Sequence, residues 1–527
     1  MVSGRGRRPR PPALSPAEFA RWVWRQLTSM RVALMLLFLL AMAAIPGSVI
    51  PQRRVNPLDV ADFVERNPEL ARWYDRLGLF DVFNAPWFAA IYIALMVSLI
   101  GCILPRTRDH WRAIRARPPR APRRLERMSA YQRLVVDAPP EAVLDAARSE
   151  LKARRFRVVT DRDSVAAEAG HLRETGNLVF HLSLVIVLLA VALGSLFGYR
   201  GTVIVQEGAG FANTLTQYDS LSAGPMFDAR NLPPFALELD EFVWEVHEAG
   251  PQRGAPADFE ARVQFVPDPG APEELRSIRV NEPLEVDGTL IHIINPGYAP
   301  AITVRDPDGE ILAEGPVTFL PMDDNFTSEG VRKVPVADGD DIGIEAIFFP
   351  TALLDGDGAS SVFAGARNPM LLLTAFVGDL GINDGTAQSV FRLDTSKMEQ
   401  LGSDGEPFRA ALAVGETIEL PGGYGTVTFD GYVKWVQLQI SRNSGKELAL
   451  GGALLAVVGL VASLYVRRRR AWVRVAADED GRTVVEVAGL ARSGGGDLEE
   501  QIEGIVSGLV ARMPAPAADP AATLGGH

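Results

Sequence analysis

Four apolar stretches, residues 32–50, 87–104, 178–199 and 448–466, interrupt this 527-residue chain, each almost free of charge. A helix rising 1.5 Å per residue crosses a hydrocarbon core of about 30 Å in about 20 residues. Only a helix can cross singly, because its backbone N–H and C=O groups are satisfied without water. The chain therefore reads as a membrane protein with four transmembrane α-helices. Any polar residue inside a span then needs a reason.

The arginines sort to alternate sides of these spans. Arg5, Arg7, Arg8, Arg10, Arg21, Arg25 and Arg31 precede the first span against one acid, Glu18. Ten arginines, Arg106 and Arg112 among them, lie in 105–133, and Arg467, Arg468, Arg469 and Arg470 follow the fourth span. The loop 51–86 balances five arginines with six acids. Lys and Arg near span ends are retained on the cytoplasmic side, so both termini are expected there, in a multi-pass plasma-membrane protein. A cleavable signal is the competing account of the first span, but signal cores run about 7–15 residues and this stretch is longer.

Charge also separates the compartments. Residues 200–447 carry 39 acidic against 16 basic residues, a net of −23, although the whole chain is only −12. That acidity argues against nucleic acid, which is bound through clustered Lys and Arg. The basic inner segments, placed beside spans, fit topology signals and anionic-lipid contacts instead. The single cysteine, Cys102, lies within the second span, so the outer segment has no disulfide and the chain has no Cys-x-x-Cys for thiol exchange.

The expected organisation follows: a cytoplasmic Arg/Pro-rich arm (1–31), a span (32–50), a short extracytoplasmic loop (51–86), a span (87–104), a cytoplasmic segment (105–177), a span (178–199), a large extracytoplasmic domain (200–447), a span (448–466) and a cytoplasmic tail (467–527). Residues 15–29 suit an amphipathic interfacial helix anchored by Phe19, Trp22 and Trp24. Within 131–170 the pattern predicts a strand, a helix over 139–153 and a hairpin from 156–160 and 164–169. The tail predicts strands 472–476 and 483–487 about an Asp480-Gly481 turn, then a helix over 498–513. Neither piece can bury much core alone, so the two are expected to dock as one small cytoplasmic α+β domain.

The outer domain reads as all-β, an antiparallel sandwich or open barrel. Strand-like runs fall at 203–206, 235–246, 261–265, 278–280, 289–294, 302–305, 342–348 and 425–436. Turn signals separate them at Asp287-Gly288, Asp308-Gly309, Asp338-Gly339, Asp355-Gly356 and Pro421-Gly422-Gly423.

No soluble-enzyme motif is present. Gly445-Lys446 lacks the spacing of a phosphate-binding loop, and Gly208-Ala209-Gly210 does not extend to a dinucleotide fingerprint. No His or Cys cluster has zinc-ligand spacing, so His247 and His292 read as structural histidines. His181 remains, one turn inside the third span. Ionisable groups at membrane depth mark functional sites by default, while an interfacial histidine snorkelling toward head groups fits the depth equally well. Histidine is a usual axial ligand of haem iron, and a helix-bundle interior is a common place for a cofactor.

Several strings together carry a resemblance. They are Leu27-Thr28-Ser29-Met30-Arg31-Val32-Ala33 and Ile50-Pro51-Gln52 about the first span, and Gly176-Asn177 with Phe180-His181-Leu182 opening the third. Val280-Asn281-Glu282-Pro283-Leu284 and Gly297-Tyr298-Ala299-Pro300 lie in the outer domain, and Gly445-Lys446 and the 467–470 arginines with Trp472 flank the fourth span. Over residues 20–490 the chain resembles the ResB (CcsB) family of cytochrome c biogenesis.

That resemblance implies a subunit of the System II cytochrome c synthase, a two-protein haem lyase in which this chain alone is non-catalytic. It implies haem as transported substrate, with His181 as an axial ligand and no other metal or catalytic residue. The eight tryptophans are scattered, so the implied partner is a separate tryptophan-rich ResC/CcsA-type membrane protein. The further partners are apocytochrome c and a thioredoxin-like reductant. The alternative is a membrane-anchored β-domain serving as assembly chaperone or envelope sensor, with spans that only tether. A transporter is disfavoured, since four spans show no repeated halves or broken helices.

Overall fold

A computed structural model describes residues 15–513 except 54–56, 251–252, 255, 338, 356–357, 383–384, 386–388, 404–405, 479–481 and 492–497. The Asp480-Gly481 turn, residues 1–14 of the arm, and Asp338 and Gly356 of two expected turns lie outside the described residues. The molecule divides into two units, residues 1–191 with 445–527, and residues 192–444.

In the first unit the helices run α1 (Pro16–Leu27), α2 (Met30–Val49), α3 (Pro57–Arg66), α4 (Pro68–Arg76), α5 (Pro86–Arg115), α6 (Pro140–Ala153), α7 (Leu172–Phe197), α8 (Lys446–Tyr465) and α9 (Leu498–Arg512). Helix α1 starts on a capping box: Glu18 N–H donates to the Ser15 hydroxyl, and Ser15 N–H to the Glu18 carboxylate. Helices α2, α5, α7 and α8 are long and apolar enough to cross a membrane. Their unpaired faces carry exposed side chains such as Phe38, Leu182 and Val458, as lipid-facing residues do.

Two spans run past the expected bounds. Helix α5 continues through Pro105 to Arg115, and α7 begins at Leu172, six residues before the apolar stretch. Charged residues extend a helix once it leaves hydrocarbon, so hydropathy marks only the buried part. Tyr199, expected at the end of the third span, starts a strand instead.

The 51–86 loop is more ordered than its composition suggests. Phe63, Tyr74 and Phe80 pack ring against ring, and Gln52 ties the segment to the end of α2. The Gln52 amide donates to the Ile50 and Leu79 carbonyls at 2.8 and 3.0 Å and accepts from Val82 N–H at 3.0 Å. Three bonds to backbone groups give the Ile50-Pro51-Gln52 string a physical role.

Residues 130–169 and the tail build one five-stranded sheet, ordered Ala130–Val136, Thr483–Ala491, Arg469–Ala477, Ser164–Ala169, Arg157–Thr160. The pieces interleave rather than dock: both tail strands lie between strands of the earlier segment, all antiparallel. Val143, Ala147 and Leu151 of α6 and Ile502, Ile505 and Leu509 of α9 cover one face and are fully buried. On the other face Trp472 packs with Leu125, Ala166 and Ala488. There the Trp472 indole donates to the Pro119 carbonyl at 2.9 Å and Arg474 to the Arg123 carbonyl at 3.1 Å. The Arg/Pro-rich 117–124 segment is thus a strap over the sheet.

The second unit is β throughout, as the turn spacing predicts. Its central seven-stranded sheet contains two 17-residue strands, Thr289–Arg305 and Thr426–Arg442. The runs expected as separate strands at 289–294 and 302–305 are therefore one. Its alternation is broken by bulges at Ile293/Asn295 and Ala301/Ile302, which hide its continuity from a period-2 reading. This ribbon serves two cores. At one end Ile291, Val436 and Ile440 pack against the sheet bearing Leu237, Val263 and Ile278. At the other Ile302, Val427 and Phe429 pack against the sheet bearing Ile344, Phe348 and Leu371. Sandwich packing is present, as two cores sharing one sheet.

Candidate functional site

Helix α7 presents two stripes. One, through Gly176, Phe180, Val187 and Ala190, meets α8, where glycines let the backbones approach. A Cβ on Gly459 would lie 2.6 Å from the Phe180 nitrogen, one on Gly176 2.7 Å from Ala462, and one on Gly452 2.9 Å from Val187. Small residues serve membrane helices this way because lipid offers no hydrophobic drive for association. Gly459→Leu is expected to cost about 1–3 kcal/mol by overpacking, measured as faster amide hydrogen exchange along α7 and α8 in the detergent-solubilised protein.

The adjacent stripe, Asn177, His181, Leu184 and Leu188, faces a cleft of about 470 Å³ shared with Leu34 and Leu37 of α2 and with Leu95, Leu99 and Cys102 of α5. That volume lies in the range of small-molecule sites, about 300–1,000 Å³. His181 thus borders protein surfaces on three helices. The order is set by α5, whose small residues accept the α1–α2 junction: Ser98 Oγ donates to the Leu27 carbonyl at 2.5 Å, and the Cys102 thiol to the Thr28 carbonyl at 3.0 Å. The Tyr92 hydroxyl reaches across to the Leu188 carbonyl and, further along α5, His110 Nε2 lies 2.9 Å from the Thr175 hydroxyl near the start of α7, so the two helices run antiparallel along the cleft.

The chemistry of His181 follows from one bond. Its Nδ1 lies 2.7 Å from the Asn177 carbonyl oxygen one turn back. A carbonyl only accepts, so Nδ1 carries the proton, and in the neutral ring Nε2 keeps its lone pair. Backbone carbonyls fix metal-ligating histidines in this way, setting tautomer and ring orientation together. Phe180 lies edge-on to the ring at 5.3 Å. Among the described residues no three His, Cys, Asp or Glu side chains converge as metal ligands. The cleft is lined by apolar side chains, and the His181 imidazole offers one nitrogen lone pair at its edge.

Beside the cleft, a polar cluster ties α7 to the α+β sheet. Glu168, nearly buried, accepts from Arg468 and Arg470 at 2.9 and 3.0 Å. Arg468 also pairs with Glu174 in the first turn of α7, and Glu174 lies 3.4 Å from His110 Nδ1, whose Nε2 is 2.9 Å from the Thr175 hydroxyl. Burial pushes the Glu168 carboxyl up, but the two guanidiniums outweigh it and hold it below the usual range. His171 Nε2 stands 3.6 Å from Glu168, and neither of its ring nitrogens has a hydrogen-bond partner. Burial accordingly holds the His171 ring below its ordinary value.

Sequence reasoning singled out His181 and missed Asn177 as its acceptor, although Asn177 stands four residues earlier in a noted string. It also missed the Glu168–Arg468–Glu174 cluster, whose one trace is an acid placed just before an apolar helix.

A polytopic membrane protein with an imidazole in an intramembrane cleft and a large β unit on its last inter-span connection is the class these features define. Residues 30–503 match the ResB-like family across most of the chain. The chain belongs to the ResB-like family. It is similar to the cytochrome c biogenesis protein CcsB of Thermosynechococcus vestitus, 25% identical over 467 residues covering 86% of this chain and 90% of that one. To the protein of the same name from Gloeobacter violaceus it is 24% identical over 472 residues, 86% and 84% of the two chains. To that of Synechococcus sp. (strain CC9311) it is 27% identical over 310 residues, 57% of this chain and 64% of the relative.

Proposed function

We propose that this chain acts in cytochrome c maturation as the ResB-type subunit of a System II synthase, helping to deliver haem across the membrane and attach it to apocytochrome c outside. The names of its relatives support the pathway. One observation carries the haem role: His181 lines an apolar intramembrane cleft with Nδ1 tied to the Asn177 carbonyl, leaving Nε2 for iron.

Haem is the substrate in this reading. A single imidazole supplies one axial ligand, so the second comes from another chain, the tryptophan-rich ResC/CcsA-type partner. The arginine-rich segments before α2, after α5 and after α8 argue that both termini and the α+β domain are cytoplasmic. The acidic β domain is then extracytoplasmic, in the plasma membrane. Thioether formation needs reduced haem and reduced thiols held together, largely a matter of positioning, and the β domain would present its surface to the apoprotein. With its one cysteine inside a span, the chain leaves thiol reduction to a thioredoxin-like protein.

His181→Ala is expected to lower the haem co-purifying with the complex at least about tenfold, since loss of even an outer partner of a ligand costs about 10–100-fold. Added imidazole should restore part of it. Unchanged haem content would refute the ligand role.

A further inference from the structure

Resting on the reading of His181 as a haem ligand, we propose that the Arg106 guanidinium receives a carboxylate of the porphyrin held there, so that the cleft selects haem by its free propionates. Leu95, Leu99, Cys102 and Arg106 form the cleft-facing stripe of α5, and Arg106 is its last member. Because α5 and α7 are antiparallel, Arg106 lies toward the Asn177 end of the cleft, and Asn177 is one helical turn before His181.

Arg106, Asn177 and Leu178 also border a second, polar hollow of about 590 Å³ that holds Asp109, His110 and Glu174. Arg106 is therefore the cation at the boundary between the apolar chamber and a polar one. Among the described residues no carboxylate lies within ion-pair distance of it, and its guanidinium rests on the Met30 thioether at 2.9 Å, a weak acceptor. A haem carries both carboxylates on one edge. With iron on His181 and that edge toward the polar hollow, the apolar ring fills the leucine-lined chamber and a propionate meets the guanidinium. Arg is suited to this, offering a fork of donors that matches a carboxylate.

The test is titration of the full-length protein, in nanodiscs of neutral phosphatidylcholine, with haemin and with haemin dimethyl ester, followed by the Soret band. The wild type is expected to prefer the free acid about tenfold, the size of one charge-assisted hydrogen bond. Arg106→Gln should abolish that preference while leaving the Soret position of the bound ligand unchanged, and Arg106→Lys should retain most of it. If Arg106→Gln keeps the wild-type preference, the guanidinium serves a lipid phosphate instead and the proposal is overturned, with the His181 reading intact. If His181→Ala alters neither affinity nor spectrum, the His181 reading fails and this proposal with it.

Discussion

Glu168→Gln is expected to destabilise the α+β unit by about 3–5 kcal/mol, the cost of breaking a buried ion pair by removing one partner. Glu168 is the hub of its cluster: its carboxylate side chain is 5% exposed and faces Arg468, itself 15% exposed, and Arg470. An amide would leave Arg470 without its carboxylate and Arg468 with Glu174 alone, beside a position that is itself buried. The effect should appear as faster hydrogen exchange in strands Ser164–Ala169 and Arg469–Ala477, which carry the acid and the arginines. Acid should mimic the substitution. The carboxyl is held below its ordinary value of 4.5, so its contribution is complete above about pH 4.5 and is lost as pH falls through the lower, folded-state value. A stability flat from pH 7 to pH 3 would contradict this account. Arg468 also grips Glu174, one turn before Asn177, so loosening the cluster should reach the helix that carries His181.

Trp435→Ala is expected to cost the β unit a further about 3–5 kcal/mol, the usual range for deleting a buried tryptophan. Trp435 is 2% exposed at the middle of the long ribbon, and its indole donates to the Tyr298 and Phe319 carbonyls at 2.9 and 3.1 Å. It stands opposite Gly297, where a Cβ would lie 2.2 Å from the indole ring. Gly297→Ala alone should therefore be destabilising too, because the ring is enclosed and cannot retreat. The double variant should cost less than the sum of the singles, since the space left by the indole accepts the new methyl. Strict additivity in thermal or denaturant unfolding would show that the glycine does not exist for the ring.

Much of this architecture was legible in the sequence. The strands and helices of the α+β pieces fall within a few residues of their predicted places, because α6 and the hairpin follow clean helical and alternating periods. The interleaved strand order was not legible: Val165, Val473 and Val485 say only that each strand has a buried face, and pairing across some 300 residues leaves no local mark. The ordered 51–86 segment escaped for a related reason. Its core is three aromatic rings packed with Val60 and Ala71 and tied by one glutamine, and nothing local distinguishes Gln52 from a solvated glutamine.

What the sequence by itself determined was where the four long apolar helices fall and that His181 lies inside the third. Those are one-dimensional properties, set by the length of an apolar run and by the cost of a polar atom inside it. Tertiary structure decided which way the imidazole faces and what stands beside it. Close passage of α7 and α8 at Gly176, Gly452 and Gly459 turns the neighbouring stripe toward α2 and α5, and the antiparallel course of α5 brings Arg106 to the Asn177 end of the cleft. Both depend on how separate helices pack, and packing is a relation between surfaces that no single stretch of chain contains.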